Sequence, residues 1–509
     1  MFRTLDTLDG FGTAAPVFLR FTGPIAPPGP GAVRLVALTD PPVEVEVDAS
    51  LYDDGHTLAL DPRVPLTGAT RHLVVATRAL EAADGGCVEA AAGPLPEDAL
   101  AAAGVPADEV LVAATFTTQS VLESSRAVAE AIVRREIGWD GPGTCEQQRG
   151  RRHCERRFVA ADFRGDDGVI TAPRPRGSYA IPVSMWIPDG PGPFPVLIAG
   201  HGLSGDRSFG GYIDNLAGQP VAVVAIDSPY HGQHPGGVSE NPLFLLRDFF
   251  AVDLVARTVD PQRMRDSFRT ATFDKLQLLH LIQESPDLDG DGLTDADTAR
   301  LGYFGLSLGG ILGGEFLALA PGLDVAVLCV PGARITRIMR DSETFGSLIN
   351  AFLPPGASDG DIKRIFGAMQ TLADSGDPVN FAPHILRDRL PRAEGTPDLL
   401  VLMAVGDEVV PNTATESLTR ALGLPVLAPV AVPWEGVVVE PSGPLAGNLD
   451  GGVTAGLFQH ARVSVGNPPR VQQVDADHNN VTGSREGIRQ ISHFLDAWLL
   501  GEPVEIIAP

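Results

Sequence analysis

Two hydrophobic rhythms divide the chain. Over residues 1 to about 118, short apolar-rich runs (PVFLRFTG, AVRLVAL, PVEVEVD, TLALDP, RHLVVATRAL and EVLVAATFTT) are separated by Gly, Pro and Asp turns. Runs of this kind predict an antiparallel β-sandwich. LESSRAVAEAIVRRE then reads as a helix, and with the polar segment after it residues 119–165 are expected to link two domains. Over 166–509 the pattern changes to apolar strands (AIPVSMWI, FPVLIAG, VAVVAID, LGYFG, LDVAVLCV, DLLVLMAV and RVQQVDA) alternating with amphipathic helices. Strands buried on both faces and separated by helices predict an α/β domain with a mostly parallel sheet. PQRMRDSFRTATFDKLQLLHLIQE places Met264, Phe268, Leu276, Leu279 and Ile282 at helical spacing, and GSREGIRQISHFLDAWLLG closes the chain as another helix. Polar, Pro-broken helices over about 332–393 stand where a cap is expected.

Composition narrows the function classes. Gly 57 and Pro 44 with 44% hydrophobic residues describe a turn-rich globular protein with two or three domains. Lys+Arg 38 against Asp+Glu 64 leaves a net charge of −26, which repels phosphate backbones and anionic headgroups, so no nucleic-acid partner is expected. No apolar run approaches the ~20 residues of a membrane-spanning helix. The opening MFRTLDTLDGFGT has neither the basic nor the apolar region of a secretion signal. Cys145 and Cys154 bracket CEQQRGRRHC, a loop that a disulfide can close in an oxidising compartment; Cys87, in a turn, and Cys329, in an apolar strand, could equally be reduced.

The candidate chemistry centres on Gly305-Leu306-Ser307-Leu308-Gly309, between the strand LGYF and the helix GILGGEFLALA. A serine on a sharp strand-to-helix turn needs glycines on both sides, and its hydroxyl then projects from the sheet. Serine is a weak nucleophile without a histidine base, and the base needs a carboxylate to hold its tautomer. Asp407, after the strand DLLVLMAV, is the expected acid, with Glu408 as fallback. His478, in VDADHNNV before the last helix, is the expected base, with His460 in reserve. The amides of Leu308 and of Leu203, the latter after His201-Gly202 in LIAGHGLSG, are the expected oxyanion donors. His231 and His234 in DSPYHGQHP are placed near the rim of the site, and Trp434 as either core or substrate contact.

These motifs together resemble the α/β-hydrolase superfamily over about 170–509. With the strand-rich front, the AGHGLSG, GLSLGG and GDEVVPN segments look like the large bacterial extracellular lipases that carry an Ig-like, virulence-factor lipase N-terminal region. The resemblance implies an Ig-like sandwich over 1–118 and an α/β-hydrolase domain over 166–509. It also implies carboxylic ester hydrolysis by Ser307, His478 and Asp407, with no cofactor for catalysis and an ester or lipid substrate. It places the protein outside the cytoplasm or at the outer membrane.

Three further readings belong beside it. Asp287, Asp289, Asp291, Leu293 and Asp295, with Gly292, fall at the positions of an EF-hand-like loop; Thr298 replaces its final glutamate, so a structural calcium ion is a candidate there. Gly200-His201-Gly202-Leu203-Ser204-Gly205 satisfies a dinucleotide-binding pattern, with Asp227 as its ribose acid, but that reading leaves Ser307, Asp407 and His478 without roles. A binding or adhesion protein on a hydrolase scaffold is the third, because fold does not fix function.

Overall fold

The computed structural model describes residues 2–148, 150–237, 242–350 and 352–509. The chain divides into two compact units, Met1–Glu123 with Asn350–Ser375, and Ser124–Ile349 with Gly376–Pro509.

The first unit holds two antiparallel sheets. One has the order β1 (Val17–Arg20), β5 (Thr57–Pro62), β4 (Val47–Tyr52); the other has the order β3 (Val43–Glu44), β2 (Val33–Ala37), β6 (Arg71–Thr77), β7 (Val110–Thr117). Leu19, Leu58 and Leu60 of the first meet Leu35, Val74, Ala76 and Leu111 of the second in one core, which makes this a β-sandwich. The helix Asp359–Ala373 belongs to the same unit. Lys363 pairs with Asp61 at 2.8 Å and Arg364 with Asp53 at 2.9 Å.

The second unit is built on an eleven-stranded sheet. Its strands are β8 (Thr144–Gln148), β9 (Arg151–Asp162), β10 (Gly177–Pro188), β11 (Phe194–Gly200), β12 (Ala222–Ile226), β15 (Ala296–Leu306), β16 (Val325–Cys329), β17 (Asp398–Ala404), β18 (Val426–Leu427), β19 (Val439–Glu440) and β20 (Ala455–His460). Between β12 and β15 a small ribbon pairs β13 (Val252–Asp253) with β14 (Thr258–Val259). Across the sheet the order is β19-β18-β20-β17-β16-β15-β11-β12-β10-β9-β8. From β12 to β19 all pairings are parallel, whereas β10 runs antiparallel to both β12 and β9. The central strands are buried along their length, as their unbroken apolar runs require. Phe304, Val327, Leu402 and Phe494 are among the core side chains, each worth about 1.5–3 kcal/mol of burial.

The expected boundary differs from the observed one. Residues 119–165 are no linker, because β8 and β9 extend the sheet, with β9 registered along the whole of β10. Residues 350–375, expected within the cap, belong to the first unit. The segment RVQQVDA contributes β22 (Gln472–Asp475), which pairs only with β21 (Arg462–Val465) in a separate ribbon. Its place in the sheet is taken by β20, whose six residues are all buried. Among the described residues no helix is long and apolar enough to cross a membrane.

Candidate active site

Ser307 alone joins β15 to the helix Leu308–Leu319 and takes the conformation φ 52, ψ −114. That backbone is costly for a residue with a Cβ and persists only where its surroundings fix it. The Ser307 amide donates to the carbonyl of Cys329 at 2.9 Å. A Cβ on Gly305 would stand 2.5 Å from the Gly309 oxygen, and one on Gly309 would stand 2.1 Å from the Gly200 oxygen. Both glycines of the motif are therefore obligatory for the turn.

The Ser307 hydroxyl lies 2.8 Å from His478 Nε2, and both Asp407 carboxylate oxygens lie 2.8 Å from His478 Nδ1. With a carboxylate at Nδ1, that nitrogen carries the proton, and the lone pair at Nε2 faces the serine. Asp407 is fixed in turn by the amides of Val409 and Val410, which donate to Oδ1 at 3.0 and 2.7 Å. Glu408 accepts from the backbone amide of His478 at 3.4 Å and from Asn479, leaving the imidazole to Asp407. His460 ends β20 with its ring 3.2 Å from Gln490, and burial lowers its pKa to about 4.

The turn after β11 passes close to the serine: a Cβ on Gly202 would be 3.9 Å from the hydroxyl. Leu203 and Leu308 both line the cavity at Ser307, and among the described residues neither amide has a hydrogen-bond partner. The Ser228 amide donates to His201 Nε2 at 2.9 Å, so His201 Nδ1 donates to the Gly202 carbonyl at 2.8 Å. Burial, followed by the nearby His231, lowers the His201 pKa to about 3, which keeps this ring neutral. Since a trans peptide points its N–H away from its carbonyl, holding the Gly202 oxygen also orients the Leu203 amide.

Asp227, the ribose acid of the dinucleotide pattern, is fully buried. Its oxygens accept from the Arg207 amide at 2.6 Å, the Arg207 guanidinium at 2.8 Å and the Gln233 amide at 2.8 Å. It ties two loops together, and its complete burial keeps it from a ribose. His231 and His234 are interior, not at a rim: His231 Nδ1 bonds the Pro229 carbonyl and His234 Nε2 meets Asp274 at 3.0 Å. Trp434 is half-buried and lies outside the lining of the cavity.

Behind the nucleophile turn, Glu315 of the helix Leu308–Leu319 is 2% exposed and accepts from Ser125 at 2.7 Å. Burial raises its pKa from 4.5 to about 7, opposed by Arg269. The folded-state pKa exceeds the unfolded one, so the associated stability is present below about pH 4.5 and is lost as pH rises through about 7. Glu315→Gln is expected to flatten this decline, gaining on the order of 3 kcal/mol over the parent near pH 8. Thermal denaturation of both proteins from pH 5 to 9 checks it; parallel Tm profiles would contradict it.

Away from the site, a disulfide joins Cys145 to Cys154 across the β8–β9 hairpin. Carboxylate oxygens of Asp287, Asp289 and Asp295 lie within 4.8 Å of one another. Arg152 reaches into the group, contacting Asp289 and bonding Asp295 at 2.9 Å. Asp291 is more exposed, 3.7 Å from Arg152, and the exposed Leu293 donates its amide to Asp291 at 2.8 Å.

No protein-family model and no curated protein matches the chain. Among solved structures it is similar to acetyl xylan esterase 1 of a Thermoanaerobacterium species, at 18% identity and TM-score 0.41 over 71% of this chain and 90% of that one. It is also similar to an acetyl xylan esterase of a Paenibacillus species, at 18% identity and TM-score 0.40 over 63% and 87% of the two chains. A dienelactone hydrolase described for Klebsiella pneumoniae matches at 15% identity and TM-score 0.35 over 67% and 98%. The strand order, the serine turn between β15 and its helix, and the chain order Ser307, Asp407, His478 give the second unit the α/β-hydrolase fold.

Proposed function

We propose that the protein is a serine carboxylic ester hydrolase working through an acyl-enzyme. The single observation that carries this reading is the hydrogen-bonded chain from the Ser307 hydroxyl through His478 to Asp407. His478 Nε2 takes the Ser307 proton as the oxygen attacks the ester carbonyl, and Asp407 stabilises the resulting imidazolium. The amides of Leu203 and Leu308 receive the oxyanion, a role in which each donor is typically worth ~10²–10³ in turnover. Collapse of the tetrahedral intermediate sends the proton from His478 to the leaving alkoxide, and water then repeats the sequence to release the acid. Hydrolysis of p-nitrophenyl esters by the full chain, set beside Ser307→Ala, tests the assignment; no hydrolysis by the folded parent would end it.

The Cys145–Cys154 bridge supports placing the protein in an oxidising compartment outside the cytoplasm. A calcium ion held by Asp287, Asp289 and Asp295 is proposed for the acidic loop, where it takes over the charge compensation that Arg152 supplies. Millimolar calcium is then expected to raise Tm by a few degrees and excess EDTA to reverse the gain, about 1 kcal/mol in a domain of this size. The same Tm with calcium and with EDTA would leave Arg152 as the loop's counter-charge.

A further inference from the structure

The wall of the cavity at Ser307 is carbon. Apart from the serine, every lining side chain is Leu, Ile, Val, Met or Phe. Ile338, Met339 and Phe345 approach from the two helices after β16, and Phe250 and Phe268 stand on the other side. The two sides meet at the Phe250 and Phe345 rings, 6.5 Å apart, and Phe250 packs beside Phe268 with their rings 5.9 Å apart. A sugar or a charged group placed here would lose its water partners and gain none, so the cavity disfavours it.

The composition of the lining also fixes which half of an ester the cavity receives. Leu203 and Leu308, the proposed oxyanion donors, line it, as do Val409 and Val410 beyond Asp407. No residue of the 476–482 segment that carries His478 does so. His478 Nε2 must return its proton to the leaving alcohol oxygen, so the alcohol lies on the His478 side and the acyl group on the other.

We propose that this cavity is an acyl pocket, and that the substrates are esters of apolar carboxylic acids, recognised through the acid and not the alcohol. The inference rests on the ester-hydrolase reading. In its acylation step the Ser307 Oγ–acyl carbon bond forms, the acyl carbon–alkoxy oxygen bond breaks, and the proton passes through His478 to the departing alcohol.

Two substrate series with the full-length protein test it. In p-nitrophenyl esters from acetate to palmitate, kcat/KM is expected to climb about fourfold per added methylene until the pocket is full, and then to fall. In acetates of ethanol through octanol, followed by acid release, no such climb is expected. Ile338→Trp and Met339→Trp fill the pocket and are expected to lower the octanoate-to-acetate ratio of kcat/KM by more than about tenfold, the worth of two methylenes. Phe345→Ala opens it and moves the optimum to longer acids, which keeps the test alive where a tryptophan variant fails to fold. Fluorophosphonate labelling of Ser307 counts competent sites in each preparation.

A climb confined to the alcohol series would overturn the acyl assignment. Flat profiles in both series, from protein whose Ser307 is labelled, would remove the pocket from substrate recognition while leaving the hydrolase standing. Absence of both labelling and hydrolysis would overturn the ester-hydrolase reading and this inference with it.

Discussion

Ser307→Ala is expected to lower kcat/KM for p-nitrophenyl esters by about 10⁵–10⁶-fold, the loss typical when the nucleophile of such a constellation is removed. The substitution deletes one oxygen and its 2.8 Å bond to His478 while leaving the backbone of the turn in place. That turn is held by the amide-to-carbonyl bond to Cys329 and by the close approach of Gly305, Gly309 and Gly200, none of which involves the hydroxyl. Tm should therefore stay near that of the parent, and KM should change far less than kcat. A variant that keeps a tenth or more of the parental activity would show that another group carries the acyl chemistry.

Asp407→Asn should cost about 10⁴-fold in kcat, by a route that depends on the tautomer. The asparagine oxygen can keep the bonds from the Val409 and Val410 amides, which both converge on Oδ1. Its amide group then faces His478 Nδ1 and donates, so Nδ1 must accept and the ring proton moves to Nε2. A proton at Nε2 points at the serine hydroxyl, where the base needs a lone pair. Near-normal folding with a large loss of kcat and little change in KM is the expected signature. Glu408→Gln is the matching control, since among the described residues the Glu408 carboxylate bonds the His478 backbone amide and Asn479 and leaves the imidazole alone. A larger loss from Glu408→Gln than from Asp407→Asn would exchange their roles.

The geometry at Ser307 was legible because strand, glycine turn and helix follow one another within a short stretch of sequence, and sterics leave that order few alternatives. Chain order and loop position single out Asp407 and His478, and the His478 ring bridges Ser307 and Asp407. The edge of the sheet was hidden for a physical reason. All five residues of β8 are exposed and β9 is rich in arginine, so neither shows the apolar run that betrays a central strand. The same logic misplaced RVQQVDA, whose Val471 and Val474 suggest a buried strand although the segment lies in an outer ribbon. Sequence also left His201 unassigned. Its neighbour Gly202 marked the turn, but the bonds from Ser228 and to Gly202 depend on where the following loop returns. The cap was least readable: Ile338, Met339 and Phe345 have the spacing of ordinary core residues, and only their convergence over Ser307 distinguishes them.

Treatment of the purified full-length protein with a fluorophosphonate, followed by peptide mass mapping and an ester-hydrolysis assay on the same sample, addresses the nucleophile directly. One equivalent of reagent per chain on the peptide containing Ser307, with hydrolysis falling in step with labelling, is the result this geometry requires. Hydrolysis that survives complete labelling of Ser307, or a folded protein in which Ser307 takes up no reagent, would contradict it.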